Sequence, residues 1–128
     1  MVVNNNVANG NNAPDNQAPP QAQVQLGAAS LSPTPRDLYI LWQEYQHGIG
    51  HRKAARLFTA YERGRVKHKY TRRKVIWDCV NRLVNSGLMA NVAIDRIYQV
   101  YGRTSTVTQI INRMRVDRNN NNLPQLIR

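Results

Sequence analysis

Apolar residues recur at intervals of three and four through the middle of the chain, and polar residues fill the positions between them. No run of several residues alternates as a half-buried strand would, so the pattern predicts an all-α fold, a compact bundle of about five short helices. The first helix has Thr34 as N-cap, Pro35 at the first helical position and Asp37 where a negative charge suits the helix dipole. Its core face is Leu38, Leu41, Trp42 and Tyr45, and Gly48 ends it.

A second helix is expected over Lys53 to Glu62, with Leu57, Phe58 and Tyr61 on one face and Gly64 as its stop. The third runs from Tyr70 to Ser86, burying Ile76, Trp77, Val80, Leu83 and Val84 with Cys79 at the margin. Lys74, Asp78, Asn81 and Asn85 fall on its opposite side, and Gly87 terminates it. Helix four is capped by Asn91, buries Ile94, Ile97, Tyr98 and Tyr101, and stops at Gly102. Helix five, capped by Ser105 or Thr106, repeats the spacing with Val107, Ile110, Ile111 and Met114. The short Gly102-Arg103-Thr104-Ser105 connection makes helices four and five helix-turn-helix-like.

Both ends depart from this pattern. Residues 1–33 are rich in Asn, Gln, Ala and Pro and predict a disordered tail, since so few apolar groups cannot offset the entropy of ordering. Residues 119–128 open with four asparagines and predict a second, shorter tail. The helical domain is thereby placed at 34–118.

Charge sharpens the picture. Eighteen Lys and Arg against seven Asp and Glu give a formal charge of +11, a self-repulsion that a polyanionic partner would offset. A membrane is not expected as that partner, because no apolar run approaches the roughly 18 residues of a spanning helix. The N-terminus has no signal-peptide pattern, which suggests an intracellular protein. The excess is concentrated between His51 and Lys74, where ten Lys and Arg face one acid, Glu62.

The densest part, Arg63, Arg65, Lys67, Lys69, Tyr70, Arg72, Arg73 and Lys74, reads as a basic loop running into the start of helix three. There the positive end of the helix dipole and free backbone N–H groups add to the side chains. Arginine forks and lysine point charges suit phosphate oxygens, so this segment is expected to dominate affinity and make it salt-dependent. The same run also fits a nuclear-import signal, and nuclear localisation is expected.

The outer face of helix five, Thr108, Gln109, Asn112 and Arg115, carries side chains able to bond base edges in the major groove. Arg103 in the preceding turn is placed to meet the backbone. Most aromatic residues lie on core stripes and are assigned to packing; Tyr39 and Tyr70 are less committed, and the Tyr70 hydroxyl is within the basic run.

Catalysis has little to stand on. The acids are scattered singly, and there is neither a Gly-rich loop before Lys-Ser/Thr nor a nucleophile elbow, so no enzyme is expected. The lone Cys79 reads as a small core residue, and His47, His51 and His68 lack zinc-ligand spacing; no cofactor or metal site is expected. His47 and His51 read as structural or phosphate-facing.

The order Leu41-Trp42-x-Glu44, Gly48-x-Gly50, Tyr70-x-Arg72-Arg73-Lys74-Val75-Ile76, Leu83 and Gly87 resembles the C-terminal DNA-binding domain of fungal transcriptional activators of glycolytic enzymes. That domain also occurs attached to transposon-encoded tyrosine recombinases. The resemblance spans about Leu38 to Ile97 and implies DNA binding through Tyr70, Arg72, Arg73 and Lys74. The family follows its Gly pair with a Pro-Ser helix start and later a Trp-Arg pair, where this chain has His51-Arg52-Lys53 and Tyr61-Glu62-Arg63, so no base preference carries over.

The expectation is a transcription-factor-like or transposon-derived protein that binds double-stranded DNA. Two alternatives remain at this point, an adaptor docking an acidic protein partner and an RNA-binding protein.

Overall fold

A chain whose apolar residues fall in five helical stripes must bring those stripes together to bury them. In the computed structural model, which describes residues 27–128, α3 (Lys67–Asn85) does this as the central helix. Around it pack α1 (Leu38–Gln46), α2 (Ala60–Arg65), α4 (Ala90–Tyr101) and α5 (Val107–Asn119). Two 3-10 turns, Ala55–Leu57 and Gln125–Ile127, complete the order. Among the described residues there is no strand, only an isolated bridge between Ala28 and Arg52. Residues 1–26, most of the expected N-terminal tail, lie outside the described residues.

The all-α expectation holds, and the core is the one the periodicity marks. Leu38, Leu41, Ile76, Trp77, Val80, Ile94, Ile97, Ile110 and Met114 are all sealed from solvent. The Trp77 indole N–H donates to the Leu41 carbonyl at 2.9 Å, so burial leaves no orphan donor. Beside it the rings of Trp42, Tyr45, Trp77, Tyr70 and Phe58 follow one another at centroid spacings of 5.2–6.1 Å. Burial pushes the Cys79 thiol up to about 11, as expected of a core cysteine rather than a nucleophile.

Several boundaries differ from the sequence reading, each for a local reason. Asp37, not Thr34, caps α1, accepting the Ile40 N–H at 2.8 Å. The helix expected over Lys53 to Glu62 is instead a 3-10 turn followed by the short α2. Thr59 and Glu62 form a reciprocal capping box there, which starts a helix at Ala60 and precludes one running through. Tyr61 and Leu57, assigned to its core face, consequently stand 74% and 40% exposed. The α4 helix begins one residue before Asn91, with Met89 as N-cap and no side-chain cap, whereas Thr106 and Gln109 box the start of α5.

Residues 119–128 correct the expectation of a second tail. Asn121 takes a left-handed conformation, φ 52°, which asparagine tolerates better than most residues. The Asn122 N–H then reaches the Asp117 carbonyl at 2.7 Å and the Asn121 N–H reaches Arg118 at 3.0 Å, the paired bonds of a Schellman ending. The asparagine run thus terminates α5 and turns the chain back. Ile127 enters the core fully buried, and its carbonyl accepts from Arg82 at 2.7 Å.

At the other end, residues 27–35 form a strap that runs back along α1, so the packed body exceeds 34–118 on both sides. Ala28 pairs with the backbone of His51 and Lys53, and Leu31 and Ser32 are buried. The strap is pinned by a buried ion pair. Arg73 donates to both Glu44 carboxylate oxygens, at 2.7 and 3.0 Å, and to the Ser32 carbonyl at 2.6 Å. Glu44 also accepts from the Ser32 N–H at 2.7 Å and its hydroxyl at 2.8 Å. Glu44 is 1% and Arg73 6% exposed, yet every charged oxygen has a donor.

Three outcomes follow from this packing. Glu44→Gln or Arg73→Met alone should cost about 3–5 kcal/mol in urea unfolding, since each strands a buried charge, while the double variant Glu44→Leu/Arg73→Met should regain only part of the loss, because the buried Ser32 N–H, hydroxyl and carbonyl lose their partners. Ile127→Ala should cost about 2–5 kcal/mol, where a solvated tail would give no change. A thiol reagent at pH 8 should label Cys79 only as fast as the domain unfolds.

Candidate nucleic-acid interface

The basic segment from Arg63 to Lys74 was expected to be a loop leading into a helix, but it is helical almost throughout. Only Val66 separates α2 from α3, and α3 begins at Lys67 rather than Tyr70. Arg63 and Arg65 occupy the last turn of α2, where cations suit the helix dipole. Lys67 and Lys69 occupy the first turn of α3, which contains no acid. Cations at that end oppose the dipole, so local helix stability does not account for them. Their charge, the dipole and free N–H groups sum to one strongly positive corner.

The other residues of the segment sort differently. Arg73 was expected to hold phosphate, but its guanidinium is engaged by Glu44 and Ser32, and only a small part of the residue, 6% exposed, borders the cleft beside Arg72. Tyr70 is half-buried with its ring between Phe58 and Trp77, and burial raises its phenol above the ordinary value. Lys74 is exposed but bonded to Asp78 one turn along, at 2.7 Å. Arg63 donates to the Phe58 carbonyl at 2.8 Å, leaving part of its fork to solvent. Arg65, Lys67 and Lys69 are exposed with no carboxylate partner among the described residues.

Tertiary packing brings α5 to this corner. The Arg72 guanidinium donates to Asn112 Oδ1 at 2.8 Å across the α3–α5 contact, joining two of the residues expected to touch nucleic acid. Arg72 also lines a cleft of about 180 Å³, together with Thr34, Pro35, Lys69, Arg73, Val107 and Thr108, among others. It is formed by the strap, the early turns of α3 and the N-terminus of α5, so two positive helix ends border it.

The remaining expected residues lie around α5. Gln109 uses its side-chain oxygen to accept the Thr106 N–H at 2.8 Å, so its carboxamide NH₂ is the part left for a ligand. Thr108 is exposed and Arg115 half-buried. Arg103 is drawn to α4, 3.4 Å from Asp95 and 5.6 Å over the Tyr98 ring. Tyr39 also donates its hydroxyl to Asp95, and that bond first, with Arg103 second, holds the Asp95 carboxyl below its ordinary value. Arg103 therefore sits in a local surface network.

Two features had no sequence signal. Thr34 and Pro35 line the cleft because the strap turns there, and their sequence positions suggested only a helix start. Arg72 and Asn112 lie 40 positions apart, and nothing local links them.

Among the described residues no group of three His, Cys, Asp or Glu is placed to hold a metal ion, and no helix is long and apolar enough to cross a membrane. No curated protein and no solved structure matches the chain. A family model described as "Transcriptional activator of glycolytic enzymes" matches residues 30–100. The match begins in the strap and takes in both partners of the Glu44–Arg73 pair, the aromatic row and the positive corner, and it stops before α5. Covering more than half of the chain, it makes this protein a member of the family of transcriptional activators of glycolytic enzymes.

Proposed function

We propose that this protein binds double-stranded DNA in the nucleus, as a transcription-factor-like module, through the positive corner of α2 and α3 together with the start of α5. One observation carries the reading: Lys69, in the first turn of α3 and without a carboxylate partner among the described residues, lines the same cleft as Arg72 and as Val107 and Thr108 at the N-terminus of α5. Membership of a transcriptional activator family supports the same partner.

In this reading Arg63, Arg65, Lys67 and Lys69 contact phosphates and set affinity, with Lys74 at the margin. Arg72 has a double part. Its bond to Asn112 fixes the mutual position of α3 and α5, and its remaining N–H groups face the cleft as phosphate donors. Thr108, Gln109, Asn112 and Arg115 lie along α5, which acts as the reading helix of a helix-turn-helix formed with α4 and the intervening Gly102 to Thr106 turn. Arg103 has a smaller part, because Asp95 already offsets its charge. Stacking on single-stranded RNA has less support, since Tyr61 and Tyr39 are the only aromatic residues well exposed among those described.

The test is a salt titration of the full chain on a random-sequence 30-base-pair duplex, beside the variant Lys69→Ala/Arg72→Ala. Binding should weaken steeply with salt, and the logarithmic slope should fall by about two in the variant with the fold intact by circular dichroism. No duplex binding by the unmodified chain at low salt would sink the reading and favour an acidic protein partner.

A further inference from the structure

A second group of cations lies at the far end of α1. The strap reaches the helix at Pro35, near the N-cap, and borders the cleft already described; Gln46 and His47 lie at the opposite end. There a separate cleft of about 230 Å³ is lined by Gln46, His47, Arg52, Lys53, Arg56 and Leu57, with Ala54.

The backbone of this site is held firmly. Gly48 has φ +83°, and a Cβ on it would come within 2.1 Å of the Arg52 carbonyl oxygen, so only glycine lets the chain turn this closely under α1. The Arg52 N–H bonds the Ile49 carbonyl at 3.0 Å, and the Lys53 N–H bonds Ala28 of the strap at 2.8 Å.

The cations of this cleft are not equivalent. Lys53 is bonded to Glu62 at 2.7 Å, which neutralises it locally. Arg56 uses Nε to satisfy the Gln46 carbonyl at the end of α1, at 2.9 Å, and its terminal nitrogens have no partner among the described residues. Among the described residues Arg52 has no carboxylate partner, and its Nε is the one buried side-chain polar atom that lacks a hydrogen bond. Buried polar groups are almost always paired, and a guanidinium in a cleft with no acceptor calls for an anionic ligand. The negative end of the α1 dipole accounts for one cation here; it leaves the second arginine without a structural role.

We propose that the Arg52–Arg56 cleft binds a phosphodiester group and gives the protein a second grip on the DNA backbone. The inference rests on the DNA-binding reading above. The nine residues of α1 lie between Pro35, which lines the first cleft, and His47, which lines the second, a helix about 14 Å long at 1.5 Å per residue. B-DNA's major groove is about 12 Å wide, so phosphates on its two sides fall within that reach.

The experiment compares the full chain with Arg52→Gln/Arg56→Gln on a random 20-base-pair duplex, over a range of salt. Arg56→Gln alone guards against misfolding of the double variant, and Arg128→Gln serves as a control that removes an exposed charge away from both clefts and from the reading helix. The slope is expected to fall by about one in both cleft variants and by less in the control. In parallel, the Arg52 Nε–Hε resonance is followed by NMR during titration with the duplex and with inorganic phosphate, and it should shift with the duplex. Wild-type slopes in the cleft variants, or an equal fall in the control, overturn the second grip while leaving DNA binding standing. A resonance that responds to inorganic phosphate but not to the duplex likewise overturns it in favour of a small-anion site. Failure of the unmodified chain to bind duplex overturns both readings.

Discussion

The buried ion pair between Glu44 and Arg73 is the constraint on which the arrangement turns. It joins three pieces of chain that local sequence does not connect: the strap at Ser32, the later half of α1 at Glu44, and Arg73, the seventh residue of α3. Desolvating two charges is costly, and the pair is tolerable because Ser32 donates twice to the carboxylate and accepts from the guanidinium. A helix shifted by one residue would lose that match. The pair therefore sets how α3 lies against α1, and so where the outer faces of α3 point.

This accounts for the mixed fate of the basic run. A helix cannot present consecutive residues to one side, since each step turns the chain by about 100°. With Arg73 turned into the body, Tyr70 and Trp77 are carried into the aromatic row, while Lys67 and Lys69 are left in solvent and Arg72 is directed towards α5. One block of like charges thus divides into a structural arginine, a lysine offset by Asp78, and a group of free cations at a helix N-terminus. The formal charge of +11 overstates what a single surface can offer to a polyanion, and the position of the free cations matters more than their number.

The family match gains a physical meaning from the same pair. The residues that carry the resemblance include Glu44 on one side and the Arg-Arg-Lys block on the other, and the structure joins them directly. Part of what looked like a binding motif is thereby a folding motif. Gly48 belongs to the same class, because the close turn beneath α1 leaves no room for a side chain there.

The sequence by itself determined the helical class and the core stripes, because the 3.6-residue period of a helix is a local property visible in the order of apolar residues. It also determined the positive segment as a whole and narrowed the start of α5 to Ser105 or Thr106, a choice that the bond between Thr106 and Gln109 then settles. Only the tertiary structure decided the rest. Leu31 stands among small and polar neighbours, and Ile127 closes a short stretch after four asparagines; neither has a helical period to mark it, and each is buried because the fold brings its segment to a surface made elsewhere. Arg73 looks like its neighbours until a carboxylate 29 positions away claims it, and the Arg72–Asn112 bond spans 40 positions. Burial and long-range pairing depend on what lies across the gap, which no local pattern encodes.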